Sequence, residues 1–167
     1  MENKDLKNEN YILVNLEGIR IEQPSQKPII LLKEDNGDRF LPIWVGNFEA
    51  SAIALEMVNF KSPRPMTHDL IVNIFKAFNI RLKRVVVSRL VKETFFAFLD
   101  LQKDNDENII MDLRPSDAIA IAVRIKSPIY VSQEVLEKAG LKITSIEDEV
   151  KKFRDFLDHT SPEDFNI

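Results

Sequence analysis

None of the 167 residues is cysteine, which excludes disulfides, thiol nucleophiles and cysteine-ligated zinc or iron–sulfur sites. Only 4 glycines are present, too few for a loop-dominated fold. No apolar run approaches the roughly 20 residues that span a bilayer, so no membrane segment is expected. The opening MENKDLKNEN is polar and lacks the apolar stretch of a secretory signal. These absences read as a cytoplasmic protein with no membrane partner. Also missing are Gly-x-Gly-x-x-Gly, the P-loop, Gly-x-Ser-x-Gly and His-Glu-x-x-His, and no organic cofactor is expected.

What is present suits a single core. Hydrophobic residues make up 44% and charged residues 30%, ordinary values for a globular chain. The net charge of −4 does not describe a protein that coats nucleic acid by bulk electrostatics. From Ser145 onward, Glu147, Asp148, Glu149, Asp155, Asp158, Glu163 and Asp164 face only Lys151, Lys152 and Arg154, so the remainder is near neutral. Within that remainder Arg81, Lys83, Arg84, Arg89 and Lys92 crowd together, either as a basic surface or as the solvated face of a strand.

Periodicity organises the chain as a polar segment over 1–10, a core domain over 11–140, and a C-terminal helix with an acidic tail over 141–167. Alternation predicts a strand from Tyr11 to Gln23, bulged at Gly18. Asn36-Gly37 between apolar runs predicts a hairpin with positive φ at both turn residues. A helix over Asn47 to Asn59 has Phe48, Ala52, Leu55 and Val58 at helical spacing, with Ile53, Ala54 and Met57 widening its covered face. A second helix, capped by Thr67, carries Leu70, Ile71, Ile74, Phe75 and Phe78. Strands over Ile80 to Leu90, Thr94 to Gln102 and Asn108 to Leu113 form a second meander. An alanine-rich helix follows Arg114-Pro115, then a short strand at PIYV and a helix ending at Gly140. A last stripe of Ile146, Val150, Phe153, Phe156 and Leu157 marks the C-terminal helix, beyond which His159 is read as solvated. Phe95, Phe96 and Phe98 read as core rather than as a base-stacking platform. The fold class is α+β, a mixed and largely antiparallel sheet with packed helices in one core domain.

The chemistry concentrates where Arg-Pro twice leads into a helix, at Arg64-Pro65 and Arg114-Pro115. In the second, Pro115, Ser116 and Asp117 explain themselves as a cap. Arg114 does not, because a cation at a helix N-terminus is unfavourable unless an acid such as Asp112 or Asp117, or a bound anion, compensates it. Arg64 stands in the same way before His68, an ionisable group, and Asp69. Two such starts could hold phosphate through free amides and guanidinium. Capping with ion pairing and an anion site both remain open from the residues alone. Phosphodiester cleavage also needs activation of water; His68 and Asp69, with Glu49 and Glu56 before them and Asp112 and Asp117 beyond, are the available groups. Carboxylates of this kind could bind Mg²⁺ or Mn²⁺, although their spacing matches no metal motif.

Three stretches, LPIWVGNFEASAIA, RPMTHDL and RPSDAIAIAVRIKSPIYVSQEVLEKAG, resemble in order and spacing the bifunctional nuclease domain family, over about Tyr11 to Gly140. The acidic tail is similar to extensions of some bacterial members. The resemblance implies an α+β domain with a mixed sheet, self-association with a dimer favoured, and the DNase and RNase activity described for plant members. It carries over Glu49, Arg64, His68, Asp69, Arg114, Ser116 and Asp117 as motif positions. The expectation is a nuclease acting on DNA or RNA. Arg64, Arg114 and Ser116 would hold phosphate; Glu49, Asp69 and Asp117 would bind Mg²⁺ or Mn²⁺ or position water; and His68 would transfer a proton. The alternative is a non-enzymatic ligand-binding or regulatory oligomerisation module built from the same residues.

Overall fold

Alternating and β-branched runs become strands that join one sheet. The computed structural model describes residues 10–103 and 107–142. The polar segment over 1–9, the middle of the turn after Gln102, the C-terminal helix with its acidic tail, and His159 lie outside the described residues. Strands β1 (Tyr11–Ile21), β2 (Pro28–Glu34) and β3 (Arg39–Trp44) form the first meander. Helices α1 (Asn47–Met57) and α2 (Thr67–Ala77) lead to a second meander of β4 (Arg81–Val91), β5 (Thr94–Lys103) and β6 (Glu107–Leu113). Helix α3 (Pro115–Ile125), β7 (Ile129–Ser132), α4 (Gln133–Ala139) and β8 (Leu141–Lys142) complete the order.

The eight-stranded sheet runs β6-β5-β4-β7-β1-β2-β3-β8. Strand β7 joins the two meanders, parallel to β4 and antiparallel to β1, and every other pairing is antiparallel. The α+β fold read from the sequence is therefore the observed one. The bulge expected at Gly18 is present, with the β1/β2 register shifting between Leu16 and Gly18.

One face of the sheet, with Ile30, Leu32, Val85, Val87 and Leu99, joins the helices in a single core. Helix α3 lies at its centre between the sheet and α1 and α2. Its residues Ala118 to Ala122 are all at most 1% exposed, because a helix covered on every side has no polar face to present. On the other face Val86 lies opposite Phe98, and both are fully buried. Tyr11 meets Phe98 edge-on at 6.4 Å, and Arg84 stacks over Tyr11 while pairing with Asp100 at 2.8 Å. Arg89 lies over the ring of Phe96. Part of the basic run is thus sheet packing, and Phe98 is core as expected.

Three local expectations fail. Neither Asn36 nor Gly37 has positive φ, and residues 35–38 form a four-residue loop. Gly37 instead leaves room for the Glu34 carboxylate, which accepts both bonds of Arg39, and a Cβ there would collide with it. The two-residue turn with both residues at positive φ lies at Lys92 (45°) and Glu93 (63°), where no glycine announced it. Helix faces also differ in part: α1 buries the expected Ala52 and Ile53 together with Ala50 but leaves Phe48 89% exposed, while α2 buries the expected Phe75 with His68 and Val72 but exposes Leu70, Ile74 and Phe78. Finally, Met66 rather than Thr67 is the N-cap of α2, and the Asp69 carboxylate accepts its backbone N–H at 2.8 Å.

Candidate active site at three helix starts

The first turns of α1, α2 and α3 meet. Arg114, the N-cap of α3, donates from Nε to Asp117 Oδ2 at 2.8 Å and from Nη2 to Asp117 Oδ1 at 3.2 Å. The same Nη2 donates to Glu49 Oε1, in the first turn of α1, at 2.7 Å. Asp117 Oδ1 in turn lies 3.2 Å from His68 Nε2, in the first turn of α2. The two acids are the compensation that a cation at a helix N-terminus requires. The bond from Asp117 raises the pKa of the Arg114 guanidinium above its ordinary value, so it is charged throughout the working range.

Sequence neighbours set this arrangement. Pro115 at the first helical position has no N–H to lose, and Ser116 is buried beside it. Glu49 folds back over Gly46, the N-cap of α1, where a Cβ would strike its carboxylate. The cluster is graded in exposure: the Arg114 side chain is 61% exposed, Asp117 25%, Glu49 16% and His68 10%. An ionised carboxylate only accepts, so Nε2 is the donor in the His68–Asp117 bond, and in the neutral imidazole the lone pair is then on Nδ1.

Two expected members stand apart. Asp69 Oδ1 accepts from Arg124 Nε at 2.7 Å, away from Asp117. That bond, followed by the Met66 amide, holds the Asp69 carboxyl below its ordinary pKa. Arg64 is exposed before the N-cap of α2, with no acid partner among the described residues, so the two Arg-Pro elements are not equivalent. Of the other acids, Asp112 is exposed on β6 and Glu56 pairs loosely with Lys61 at 3.6 Å.

Arg124 is the residue that sequence reasoning missed. Its side chain is 5% exposed, and besides holding Asp69 it donates to the carbonyls of Ala120 (2.8 Å) and Ala52 (3.1 Å). One guanidinium thereby ties α1 and α2 to the last turn of α3. The available signal was a lone arginine inside an otherwise apolar helix.

Among the described residues no three His, Asp or Glu side chains are placed to hold a metal ion. Glu49, Asp69 and Asp117 do not converge, and Arg114 engages the two carboxylates that lie together. The donor set as placed does not fit Mg²⁺ or Mn²⁺. No helix among the described residues is long and apolar enough to cross a membrane.

A family model described as the bifunctional nuclease domain matches residues 30–144. An uncharacterised protein of Mycobacterium tuberculosis is 49% identical over 162 residues, covering 91% of this chain and 96% of that protein. Bifunctional nuclease 1 of Oryza sativa subsp. japonica is 30% identical over 143 residues, covering 84% of this chain and 43% of that protein. Bifunctional nuclease 1 of Arabidopsis thaliana is 33% identical over 132 residues, covering 77% of this chain and 41% of that protein. The chain thus spans less than half the length of the plant proteins it matches.

Proposed function

The chain belongs to the bifunctional nuclease domain family, and on that premise we propose that it hydrolyses phosphodiester bonds of DNA or RNA at the Glu49, His68, Arg114 and Asp117 cluster. The observation that supports this reading is an exposed arginine at the meeting of three helix starts, linked through one aspartate to a histidine. Arg114 Nη1 is not used in the bonds to Glu49 and Asp117, so it can donate to a phosphate oxygen as charge grows on it in the transition state. His68, with its Nε2 held by Asp117, has Nδ1 to take the proton of the attacking water. Arg64, exposed and unpaired among the described residues, would contact a neighbouring phosphate of the strand. Ser116 and the free amides at the start of α3 add to the same anion-binding end.

A second reading rests on how completely the acids are used. Asp117 spends both oxygens on Arg114 and His68, and this closed set could serve only as a clamp between helices in a non-enzymatic module. One assay separates the two. Rigorously purified protein is given single-stranded DNA and RNA with Mg²⁺, with Mn²⁺ and with EDTA, beside Arg114→Ala and His68→Gln prepared identically. Hydrolysis that falls about 100-fold or more in both variants, with the fold retained, supports catalysis here. Equal traces in all three proteins would assign the activity to a contaminant and leave the clamp. The EDTA arm reports whether a divalent cation takes part, and light scattering on the same samples reports whether the chain self-associates.

A further inference from the structure

At the opposite end of α3, about 16 Å along its axis from Arg114, a cleft of ≈ 450 Å³ opens between the end of α2, the start of β4 and the segment after α3. Its charged lining is of one sign: Lys76, Arg81, Lys83 and Lys126, with no acid among the lining residues. Lys76, Arg81 and Lys126 are exposed and have no acid partner among the described residues, and Lys83 Nζ donates only to the neutral Asn108. In a chain of net charge −4 this concentration of positive charge needs a reason. Lys76 and Lys126 sit where helix C-termini favour cations, but Arg81 and Lys83 are on a strand and gain nothing from a helix dipole.

Two further observations point to a ligand. Ser127 lines the same cleft, and its Oγ, buried beneath that surface, is the one buried side-chain polar atom without a hydrogen-bond partner among the described residues. The cleft floor, in contrast, is apolar, made by Val72, Phe75 and Leu82 among others. We propose that this cleft binds a nucleoside phosphate, its base on the apolar floor near Phe75 and its phosphate among Arg81, Lys83 and Lys126. The volume lies within the range of small-molecule sites, and an apolar floor with a few convergent polar groups is their usual build. The proposal goes beyond the nuclease reading and does not depend on it, because the two sites share no residue.

Titration calorimetry of the full chain with AMP, adenosine and inorganic phosphate tests it. AMP is expected to bind with a Kd below about 1 mM and more tightly than either part. Arg81→Gln and Lys126→Gly should each weaken AMP by about tenfold. Lys126 has φ 59°, the left-handed position after a helix where glycine is favoured, so Lys126→Gly keeps the fold and the test stays decisive if Arg81→Gln does not fold. Ser127→Ala should raise the Tm of the free protein, since it removes an unsatisfied buried hydroxyl, and leave the AMP affinity within about twofold. No heat from AMP at millimolar concentration, adenosine binding as tightly as AMP, or AMP binding that survives Arg81→Gln and Lys126→Gly would each overturn the assignment.

Discussion

Arg114 and Arg124 stand at the two ends of the same helix, and each bonds an aspartate at 2.7–2.8 Å: Arg114 holds Asp117 of its own helix and reaches Glu49 on α1, while Arg124 holds Asp69 on α2 and reaches the Ala52 carbonyl on α1. The chemistry is the same and the surroundings are not. Arg124 is 5% exposed and spends its donors on Asp69 and two backbone carbonyls, whereas Arg114 is 61% exposed with Nη1 outside its ion pairs. Removing one partner of a buried pair strands the other charge and any carbonyl it served, while an exposed pair exchanges partners with water at small cost. Burial, not pairing, therefore separates an arginine that holds the helices together from one that is free to meet a ligand.

The largest effect expected from this contrast is on Arg124→Ala, which should lower the unfolding free energy by about 3 kcal/mol in urea denaturation. A loss below about 1 kcal/mol would mean that the two ends of α3 do not differ as described. Arg114→Ala should do the reverse, cutting hydrolysis about 100-fold while changing stability by no more than about 1 kcal/mol. A stability loss equal to that of Arg124→Ala would make both arginines structural. Smaller again is the cost of Asp69→Asn, and it depends on pH with a definite sign. The Arg124 bond lowers the folded pKa of Asp69, so its contribution is fully present above the unfolded value of about 3.9 and fades as pH falls through the lower folded value. The stability gap between Asp69→Asn and wild type should stay level from pH 7 to about pH 5 and shrink in more acidic buffer; a gap that widens on acidification would refute the sign. The mildest change is Gly46→Ala. Its φ of −69° suits alanine, so the fold should be unaffected, but the new Cβ displaces the Glu49 carboxylate from Arg114 and hydrolysis should shift several-fold.

Strand positions were readable because a half-buried strand must alternate. The expected limits of the second meander lie within one residue of Arg81–Val91, Thr94–Lys103 and Glu107–Leu113. Turn chemistry was readable only in part. Asn36-Gly37 carries the residues of a tight hairpin, yet its loop is set by the Glu34–Arg39 pair that it encloses, while Lys92-Glu93 accepts strained backbone because nine register pairs between β4 and β5 hold it there. At the site, Glu49, His68, Arg114 and Asp117 were all named from sequence, and their meeting was not foreseeable. Glu49 and Arg114 are 65 positions apart along the chain, and no local pattern announces which distant carboxylate a guanidinium will reach.

By itself the sequence determined the kind of fold, through its alternation, its helical spacing and Pro115 at the first turn of α3, all of which act within a few residues, whereas the side-chain cap expected from Ser116 and Asp117 is not formed. Tertiary structure alone decided which apolar helix faces are covered, which aspartate each arginine keeps, and that four cations share a cleft with an unpartnered serine. These are matters of burial and distance between elements far apart in the chain, and desolvation, which sets the strength of every ion pair, has no value until the elements have packed.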